Sequence, residues 1–395
     1  MLQQRSRRQV CSVLAMAGLS GCLNFTATDE QASSSTPRSD TPQGTPNGES
    51  TSVSQSATTD QPRSDGWPYS LPAPVTTTPL IDESTVYFGC MDHKLYGVNV
   101  ETGTQQFATD VGDQVGPGLT LSGGVIYGST PAGLFGVDAT SGDLTLSASN
   151  RAVGFGIREP LVADGILYYP AGGTLLAIDV TSGEVVWSRR APAAWGGKPA
   201  LVDSTLIVSD AGDVSTTPSD QSRVFGLDPT DGSTRWQVSI SADSLVSSVA
   251  ASAEDQTAVL VGRYGLTAAF DTNTGEERWR ATVDRNGNVT GRPAIAEQTV
   301  VVPLGGNGLF AYDLNSGSER WGKPEARSLS GYAVTIANGQ VLTGSEAATL
   351  LDLETGDQIR QFELTPPLAD SVQPTMSEHA LIYPAADTTL QRRSL

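Results

Sequence analysis

Residues 175–187 read LLAIDVTSGEVVW, and this stretch decides the fold. Apolar side chains precede Asp179 in the alternating pattern that is typical of a half-buried β-strand. The Asp179 carboxylate is suited to cap a tight turn, and Gly183 supplies the positive φ that such a turn requires. A second strand follows and carries Trp187. The stretch therefore predicts a β-hairpin with a large aromatic side chain on its second strand.

The same hairpin signature occurs seven times, at intervals of 39 to 49 residues. Its Asp or Asn positions are Asn99, Asp138, Asp179, Asp228, Asp271, Asp313 and Asp352. The glycines four residues later are Gly103, Gly142, Gly183, Gly232, Gly275, Gly317 and Gly356. Trp187 is matched by Trp236, Trp279 and Trp321, with Phe107 and Leu146 at the same place in the first two units. A recurring unit of this length predicts a repeat architecture.

Two further short apolar runs precede each hairpin, so each unit holds four strands and shows no helical periodicity. The last unit starts at Gln373-Pro374 and stops at three strands, while residues 66–70 (GWPYS) supply one strand and Trp67. Sharing a blade between the two termini would close the ring and remove exposed sheet edges. The sequence therefore predicts an all-β, eight-bladed β-propeller over residues 67–395, with four-stranded antiparallel blades and a last blade built from both termini.

The pattern A-x-D-x-x-[ST]-G-x-x-x-W resembles the tryptophan-docking repeat of the quinoprotein (PQQ-like) propeller family. The resemblance covers residues 67–395 and implies that each Trp wedges between neighbouring blades. WD40 propellers have a similar period, but their Gly-His and Trp-Asp dipeptides are missing here. By architecture, the chain also resembles the BamB-like lipoprotein propellers of the outer-membrane assembly machinery, which implies a non-enzymatic scaffold that binds a partner.

The first residues indicate export. Arg5, Arg7 and Arg8 precede the apolar run 10–19, which is too short to span a bilayer. Ser6-Arg7-Arg8 resembles a twin-arginine (Tat) signal, and Leu19-Ser20-Gly21-Cys22 resembles a lipobox. We therefore expect a signal peptide at 1–21 and lipidation of Cys22; a plain cleaved signal with a chance Cys is the alternative. Residues 22–66 are rich in Ser, Thr, Pro and Asp and predict a disordered tether.

The net charge is −19, from 43 acidic and 24 basic residues, and three of the basic residues are Lys. This charge argues against nucleic acid and anionic membrane as partners, so membrane attachment is expected through the lipid alone. An acidic, Lys-poor chain resembles proteins of halophilic archaea; an ordinary acidic secreted protein is the alternative. The cysteines, Cys11, Cys22 and Cys90, give neither a disulfide framework nor a Cys-based metal site.

The channel mouth is the candidate binding site, because the innermost strand of each blade begins there. Those strand starts align at Pro79, Leu119, Pro160, Pro199, Val249, Pro293, Val334 and Pro374. The residues just before them are Thr78, Gly118, Glu159, Lys198, Ser248, Arg292, Ala333 and Gln373, with Arg158 and Tyr332 one step further out. Arg158, Glu159, Lys198, Arg292, Tyr332 and Gln373 predict a site for an anion or a polar peptide. The alternative is that they satisfy the backbone and water of the channel.

Resemblance to the quinoprotein enzymes would imply pyrroloquinoline quinone, calcium and an adjacent-cysteine disulfide. The chain has no Cys-Cys pair and no long insertions, so we expect no cofactor, no metal and no catalytic residues. His93 and His379 are expected in surface turns. The inserted loop 209–224 is rich in Asp and either holds Ca²⁺ or is simply solvated. The first hypothesis is an exported, surface-anchored scaffold for a protein or a small polar or anionic ligand. A quinone-dependent dehydrogenase and a solute-binding or sensor propeller are the alternatives.

Overall fold

The structure is a computed structural model that describes residues 66–148, 159–191, 195, 197–210, 222–240, 246–262, 265–282, 292–304, 308–326, 334–344, 347–369 and 372–395. The predicted signal, Cys22 and nearly all of the predicted tether lie outside these residues. Within them, no helix is long and apolar enough to cross a membrane.

The strands occur in repeating groups of four, which we call blades 1 to 8. Strand β1 is Tyr69–Ser70, and blade 1 follows as β2 (Leu80–Asp82), β3 (Thr85–Gly89), β4 (Lys94–Asn99) and β5 (Gln105–Asp110). Blade 2 is β6 (Thr120–Ser122), β7 (Val125–Thr130), β8 (Gly133–Asp138) and β9 (Leu144–Ala148). Blade 3 is β10 (Leu161–Ala163), β11 (Ile166–Ala171), β12 (Thr174–Asp179) and β13 (Val185–Arg190). Blade 4 is β14 (Ala200–Val202), β15 (Thr205–Asp210), β16 (Arg223–Leu227) and β17 (Thr234–Ser239).

The second half of the chain continues the pattern. Blade 5 is β18 (Val246–Ser252), β19 (Thr257–Gly262), β20 (Leu266–Asp271) and β21 (Glu277–Thr282). Blade 6 is β22 (Ala294–Ala296), β23 (Thr299–Pro303), β24 (Leu309–Asp313) and β25 (Glu319–Lys323). Blade 7 is β26 (Thr335–Ala337), β27 (Gln340–Gly344), β28 (Ala347–Asp352) and β29 (Gln358–Glu363). The chain ends with β30 (Thr375–Met376), β31 (Ala380–Pro384) and β32 (Thr389–Ser394).

Blades 1 to 7 are antiparallel four-stranded sheets with strands in chain order. Blade 8 has the order β1-β32-β31-β30, so its outer strand comes from the N-terminal end of the body. Tyr69 pairs with Leu390 and Ser70 with Thr389. The predicted eight-bladed propeller and its closure by both termini are therefore confirmed.

The hairpin turns form as their residues predict. Asp179 Oδ1 accepts hydrogen bonds from the backbone N–H groups of Thr181 (2.9 Å) and Ser182 (2.8 Å). The backbone N–H of Gly183 donates to the Asp179 carbonyl at 2.8 Å, and Gly183 has a φ of 73°. The equivalent glycine of each of the other six hairpins also has a positive φ, between 68° and 77°. The turn is thus fixed by an accepting carboxylate and a left-handed glycine.

Each Trp of the repeat docks on the turn of the next blade. Trp187 Nε1 donates to the Pro229 carbonyl at 2.9 Å, and a Cβ on Gly232 would lie 2.8 Å from its ring. The same donation to the next blade occurs at 2.7–2.9 Å for Trp67, Trp236, Trp279 and Trp321. Glycine is required at the receiving turn both for its φ and for the room it leaves to the indole. The wedging that the family resemblance implied is confirmed.

Blade 7 departs from this pattern. In blade 6, the docking residue Trp321 pairs with Ala311. At the equivalent position of blade 7, the residue that pairs with Leu350 is Arg360 and not a Trp. Blade 8 has no hairpin between its two outer strands, because these strands, β32 and β1, come from opposite ends of the body. No turn glycine is therefore available to receive an indole from blade 7, and the position is exposed.

The apolar core is divided into layers between blades. Val202, Trp236 and Phe270, for example, belong to one buried cluster that joins blades 4 and 5. Tyr69, Phe88 and Ile382 belong to the cluster that joins blade 8 to blade 1. Each blade thus buries its two faces against its neighbours, and the free energy of folding depends on the ring being closed.

Candidate functional site

The inner strands begin where the alignment of the repeats predicts. Seven of them start one residue after the aligned positions, and the exception is β18, which starts at Val246 and thus three residues before Val249. The blades share one topology, so all these starts lie at one end of the channel. We call the residues that precede the aligned positions, and whose side chains the structure describes, the channel mouth: Thr78, Gly118, Glu159, Lys198, Arg292 and Gln373.

Three of the predicted residues meet in one ion cluster. Glu159 of blade 3 forms an ion pair with Lys198 of blade 4 and a second with Arg292 of blade 6. Arg292 Nη1 lies 3.1 Å from Glu159 Oε2, and Lys198 is held by Oε1. Lys198 Nζ also lies 3.4 Å from Thr120 Oγ1 on the inner strand of blade 2. Since blades 3 and 6 are three places apart in a ring of eight, the Glu159–Arg292 pair crosses the channel.

Burial makes this cluster energetically important. The side chains of Glu159 and Arg292 are each 5% exposed, and that of Lys198 is 15% exposed. A carboxylate so far from water is tolerated only when cations or hydrogen bonds replace its hydration. Both oxygens of Glu159 are occupied in this way. With one carboxylate and two cations, the cluster retains one positive charge.

Gly118 of blade 2 makes room for Glu159. A Cβ at this position would lie 2.4 Å from Glu159 Cβ, closer than two such carbons approach. The glycine therefore serves a close backbone approach at the mouth. Sequence reasoning placed Gly118 in the ring without recognising this role, because the contact joins different blades.

Gln373 lies at the same mouth with an unsatisfied donor. The residue is 6% exposed, and its buried Nε2 has no hydrogen-bond partner among the residues that the structure describes. A buried amide without an acceptor costs about 1–3 kcal/mol. The mouth thus combines an excess positive charge with a donor that lacks an acceptor. Arg158 and Tyr332, the other two predicted site residues, lie outside the described residues.

The oxygen atoms of the mouth bear on the calcium that the quinoprotein resemblance implies. Calcium needs several free carboxylate or carbonyl oxygens, whereas both oxygens of Glu159 are bound by Lys198 and Arg292. Across the described residues, no group of three or more His, Cys, Asp or Glu side chains could hold a metal ion. The described residues of the mouth therefore do not offer calcium a set of free oxygen ligands.

The other sequence candidates lie in varied settings. His93 is in a turn with a φ of 69° and His379 is 81% exposed, as expected for surface residues. Burial raises the pKa of the Cys90 thiol well above its usual value. Asp210, at the start of the inserted loop, is fully buried. Its Oδ2 lies 2.7 Å from Arg223 Nη2, so its carboxylate forms an ion pair with Arg223. Residues 211–221 of that loop lie outside the described residues.

Together these features define a class: an eight-bladed propeller of tryptophan-docked, PQQ-like repeats. The chain belongs to the family of the outer membrane protein assembly factor BamB, whose sequence profile matches residues 94–250 and 220–371.

Solved structures share this fold at low sequence identity. BamB from Moraxella catarrhalis aligns with a TM-score of 0.64 and 15% identity, over 84% of this chain and 99% of that one. A europium-containing methanol dehydrogenase aligns with a TM-score of 0.60 and 14% identity, over 83% and 84% of the two chains. The computationally designed Ika8 protein aligns with a TM-score of 0.66 and 14% identity, over 82% and 98%.

A curated relative matches part of the chain. The serine/threonine-protein kinase AfsK of Streptomyces griseus is 26% identical over 174 residues, which is 43% of this chain. The match spans 16% of the kinase's own length.

Proposed function

We propose that this protein is an exported, membrane-anchored binding scaffold without enzymatic activity, whose partner docks at the channel mouth. The observation that carries the proposal is the ion cluster in which Glu159 is shared by Lys198 and Arg292. In this cluster the charged groups of the mouth pair with one another. Such pairing suits a surface that recognises a partner better than it suits a catalytic centre, which must bind and release a reacting group.

The chemistry of the mouth favours an acceptor from outside. One positive charge remains after Glu159 is paired, and no acceptor for Gln373 Nε2 is found in the described part of the chain. A carboxylate, either of an acidic side chain or of a small anion, would neutralise the positive charge and accept a hydrogen bond from Gln373. The partner is thus an acidic or polar segment of another protein, or a small polar anion.

The anchor and the location rest on the sequence. The arginines before residue 10 and the Leu19–Cys22 motif favour export and attachment of a lipid at Cys22. A tether of 44 residues, from 23 to 66, would hold the propeller roughly 35 Å from the membrane if it behaves as a flexible chain. The propeller then faces outside the cytoplasm with its loops available to partners.

Affinity capture from the membranes of the source cells tests the proposal. The bait is the full chain, and the matched variant is Gln373→Leu, which replaces an unsatisfied amide with an apolar group of similar size. Because the removed donor has no partner, we expect the folded state to be as stable as in the unmodified protein, or more so. We expect a partner to be enriched by the unmodified protein and lost with the variant. Equal recovery of every captured protein by both baits would contradict a role for the mouth.

A sensor is the second candidate. The observation that favours it is the 174-residue match to a protein named as a serine/threonine kinase. In that case the mouth would bind a small ligand and a separate protein would pass on the signal. Saturable binding of a small anion to the purified propeller, with no protein captured from membranes, would favour the sensor over the scaffold.

A further inference from the structure

A cavity of about 550 Å³ lies between blade 6 and blade 7, away from the channel mouth. One wall is Lys323, at the end of β25, followed by Glu325. The other is formed by three strands of blade 7, with Thr343, Thr349 and Gln361 among the lining residues. Its volume is within the range of small-molecule pockets in proteins, roughly 300–1,000 Å³.

The cavity lies where blade 7 lacks the large apolar pair that blades 1, 3, 4 and 6 have at the equivalent position. Thr343 pairs with Thr349 across β27 and β28. In blades 1, 3, 4 and 6 the equivalent pairs are larger and apolar: Phe88 with Tyr96, Tyr169 with Leu176, Val208 with Phe225, and Val302 with Phe310. Such pairs fill the layer between neighbouring blades, as Phe88 and Tyr96 do between blades 8 and 1. Two threonines are too small to do so.

The wall of blade 7 is also polar. Thr349 pairs in turn with Gln361 on the outer strand, so two hydroxyls and an amide form one row across three strands. Gln358 lines the cavity two residues after the turn glycine, Gly356. Hydroxyl and amide groups both donate and accept hydrogen bonds, as a ligand with hydroxyl groups requires.

Lys323 supplies a positive charge. In blade 3 the equivalent residue, two after the docking Trp, is Arg189, which donates to the Gly232 carbonyl and to Thr234 Oγ1, each at 2.6 Å. Lys323 runs along the same path, since a Cβ on Gly356 would lie 3.0 Å from its Cε. Of the residues that the structure describes, however, none accepts a hydrogen bond or an ion pair from the Lys323 ammonium.

We infer that this cavity is a binding site for a small carboxylate that carries hydroxyl groups, of the sugar-acid class. The carboxylate pairs with the Lys323 ammonium, which needs a counter-ion in a cleft that is partly shielded from water. The ligand hydroxyls bind Thr349, Gln358 and Gln361. Glu325, exposed at the rim, disfavours ligands with a second negative charge on that side.

Isothermal titration of the full chain with glucuronate tests the inference, and glucose is the matched neutral probe. We expect saturable binding of glucuronate and at least tenfold weaker binding of glucose. Lys323→Gln should weaken glucuronate binding at least tenfold. Arg189→Gln, the control at the equivalent place in blade 3, should leave binding unchanged.

A second variant closes the cavity. Thr349→Phe introduces the residue type that blades 2, 4 and 6 hold at Phe135, Phe225 and Phe310, so it should preserve or raise the melting temperature and abolish binding. Absence of saturable glucuronate binding to the unmodified chain would overturn the inference. Equal binding by the unmodified chain and the Lys323→Gln and folded Thr349→Phe variants would also overturn it. Because the channel mouth is also proposed to bind a carboxylate, glucuronate binding is assigned to this cavity only where Lys323→Gln or Thr349→Phe weakens it.

Discussion

Trp67 Nε1 donates a 2.7 Å hydrogen bond to the carbonyl of Val100, and this contact joins the shared last blade to the first. A Cβ on Gly103 would lie 2.9 Å from the Trp67 backbone nitrogen, so the N-terminal segment lies directly on the blade 1 turn. Tyr69, two residues on, is 1% exposed and donates to Gln105 Oε1 at 2.5 Å. The N-terminal strand is thus part of the closed ring.

Deletion through Tyr69 is predicted to destabilise the propeller, whereas deletion of residues 1–60 is not. The longer deletion removes a buried aromatic side chain, which costs roughly 3–5 kcal/mol, and opens the last blade. Thermal unfolding of the two truncated proteins measures the difference. Identical melting temperatures would contradict closure of the ring by this segment.

Loss of the Glu159 charge is predicted to destabilise the channel. Glu159→Gln leaves Lys198 and Arg292 close together without their shared counter-ion, and removal of one member of a buried pair costs about 3–5 kcal/mol. Denaturant unfolding measures the change. The control is Arg280→Ala at the surface pair with Glu277, where a loss of under about 1 kcal/mol is expected. An equal effect of both variants would show that the mouth cluster is not a stabilising network.

The turn carboxylates predict a loss of stability in acid. A hydrogen bond from Thr230 and the Arg235 guanidinium lower the pKa of Asp228 to about 2. The Arg320 guanidinium likewise lowers the pKa of Asp313 to about 2. The pKa of an Asp in the unfolded chain is near 4. A carboxyl whose pKa is lower in the folded protein stabilises the fold at pH values above about 4, and this contribution is lost as the pH falls through about 2.

Unfolding should therefore become easier between about pH 4 and pH 2, and Asp228→Asn with Asp313→Asn should weaken that dependence. Asparagine already occupies the equivalent turn of blade 1, where Asn99 Oδ1 accepts from the backbone N–H groups of Glu101 and Thr102. The double variant should consequently keep its fold at neutral pH. An acid profile unchanged from that of the unmodified protein would contradict this role of the two carboxylates.

Cys22 is predicted to carry the membrane anchor. Cys22→Ser removes the thiol to which the lipid would attach, so the variant should be released from membranes or remain unprocessed. Fractionation and intact-mass measurement of the exported protein provide the test. An unmodified N-terminus that begins after residue 22 would contradict the lipoprotein assignment.

Much of the fold could be predicted because the repeat is local. The Asp–Gly turn, its strands and the docking Trp all lie within about a dozen residues, so one hairpin such as 175–187 contains the information for its own conformation. The incomplete last unit and the stray Trp67 were enough to predict how the ring closes.

The site was less accessible to sequence reasoning. Aligned strand starts placed Glu159, Lys198 and Arg292 at one end of the channel, but which side chains pair across it depends on the closed ring. The small Thr343–Thr349 pair and the Lys323 ammonium, which has no partner among the described residues, are recognised only by comparing equivalent positions in several blades. Arg360 could have been noticed as a break in the Trp pattern, yet its reason lies in the missing hairpin of blade 8.

The most direct test of the central claim, that the channel mouth binds a partner and is not a cofactor centre, is thermal unfolding with pyrroloquinoline quinone and Ca²⁺. Because Glu159 is already paired with Lys198 and Arg292, we predict an unchanged melting temperature and no dye-linked oxidation of alcohols or sugars. A real site, with cofactor a hundredfold above its dissociation constant, would stabilise the fold by about 2.7 kcal/mol, which is readily measured. A clear rise in melting temperature that disappears in Lys198→Ala or Arg292→Ala would contradict the scaffold account.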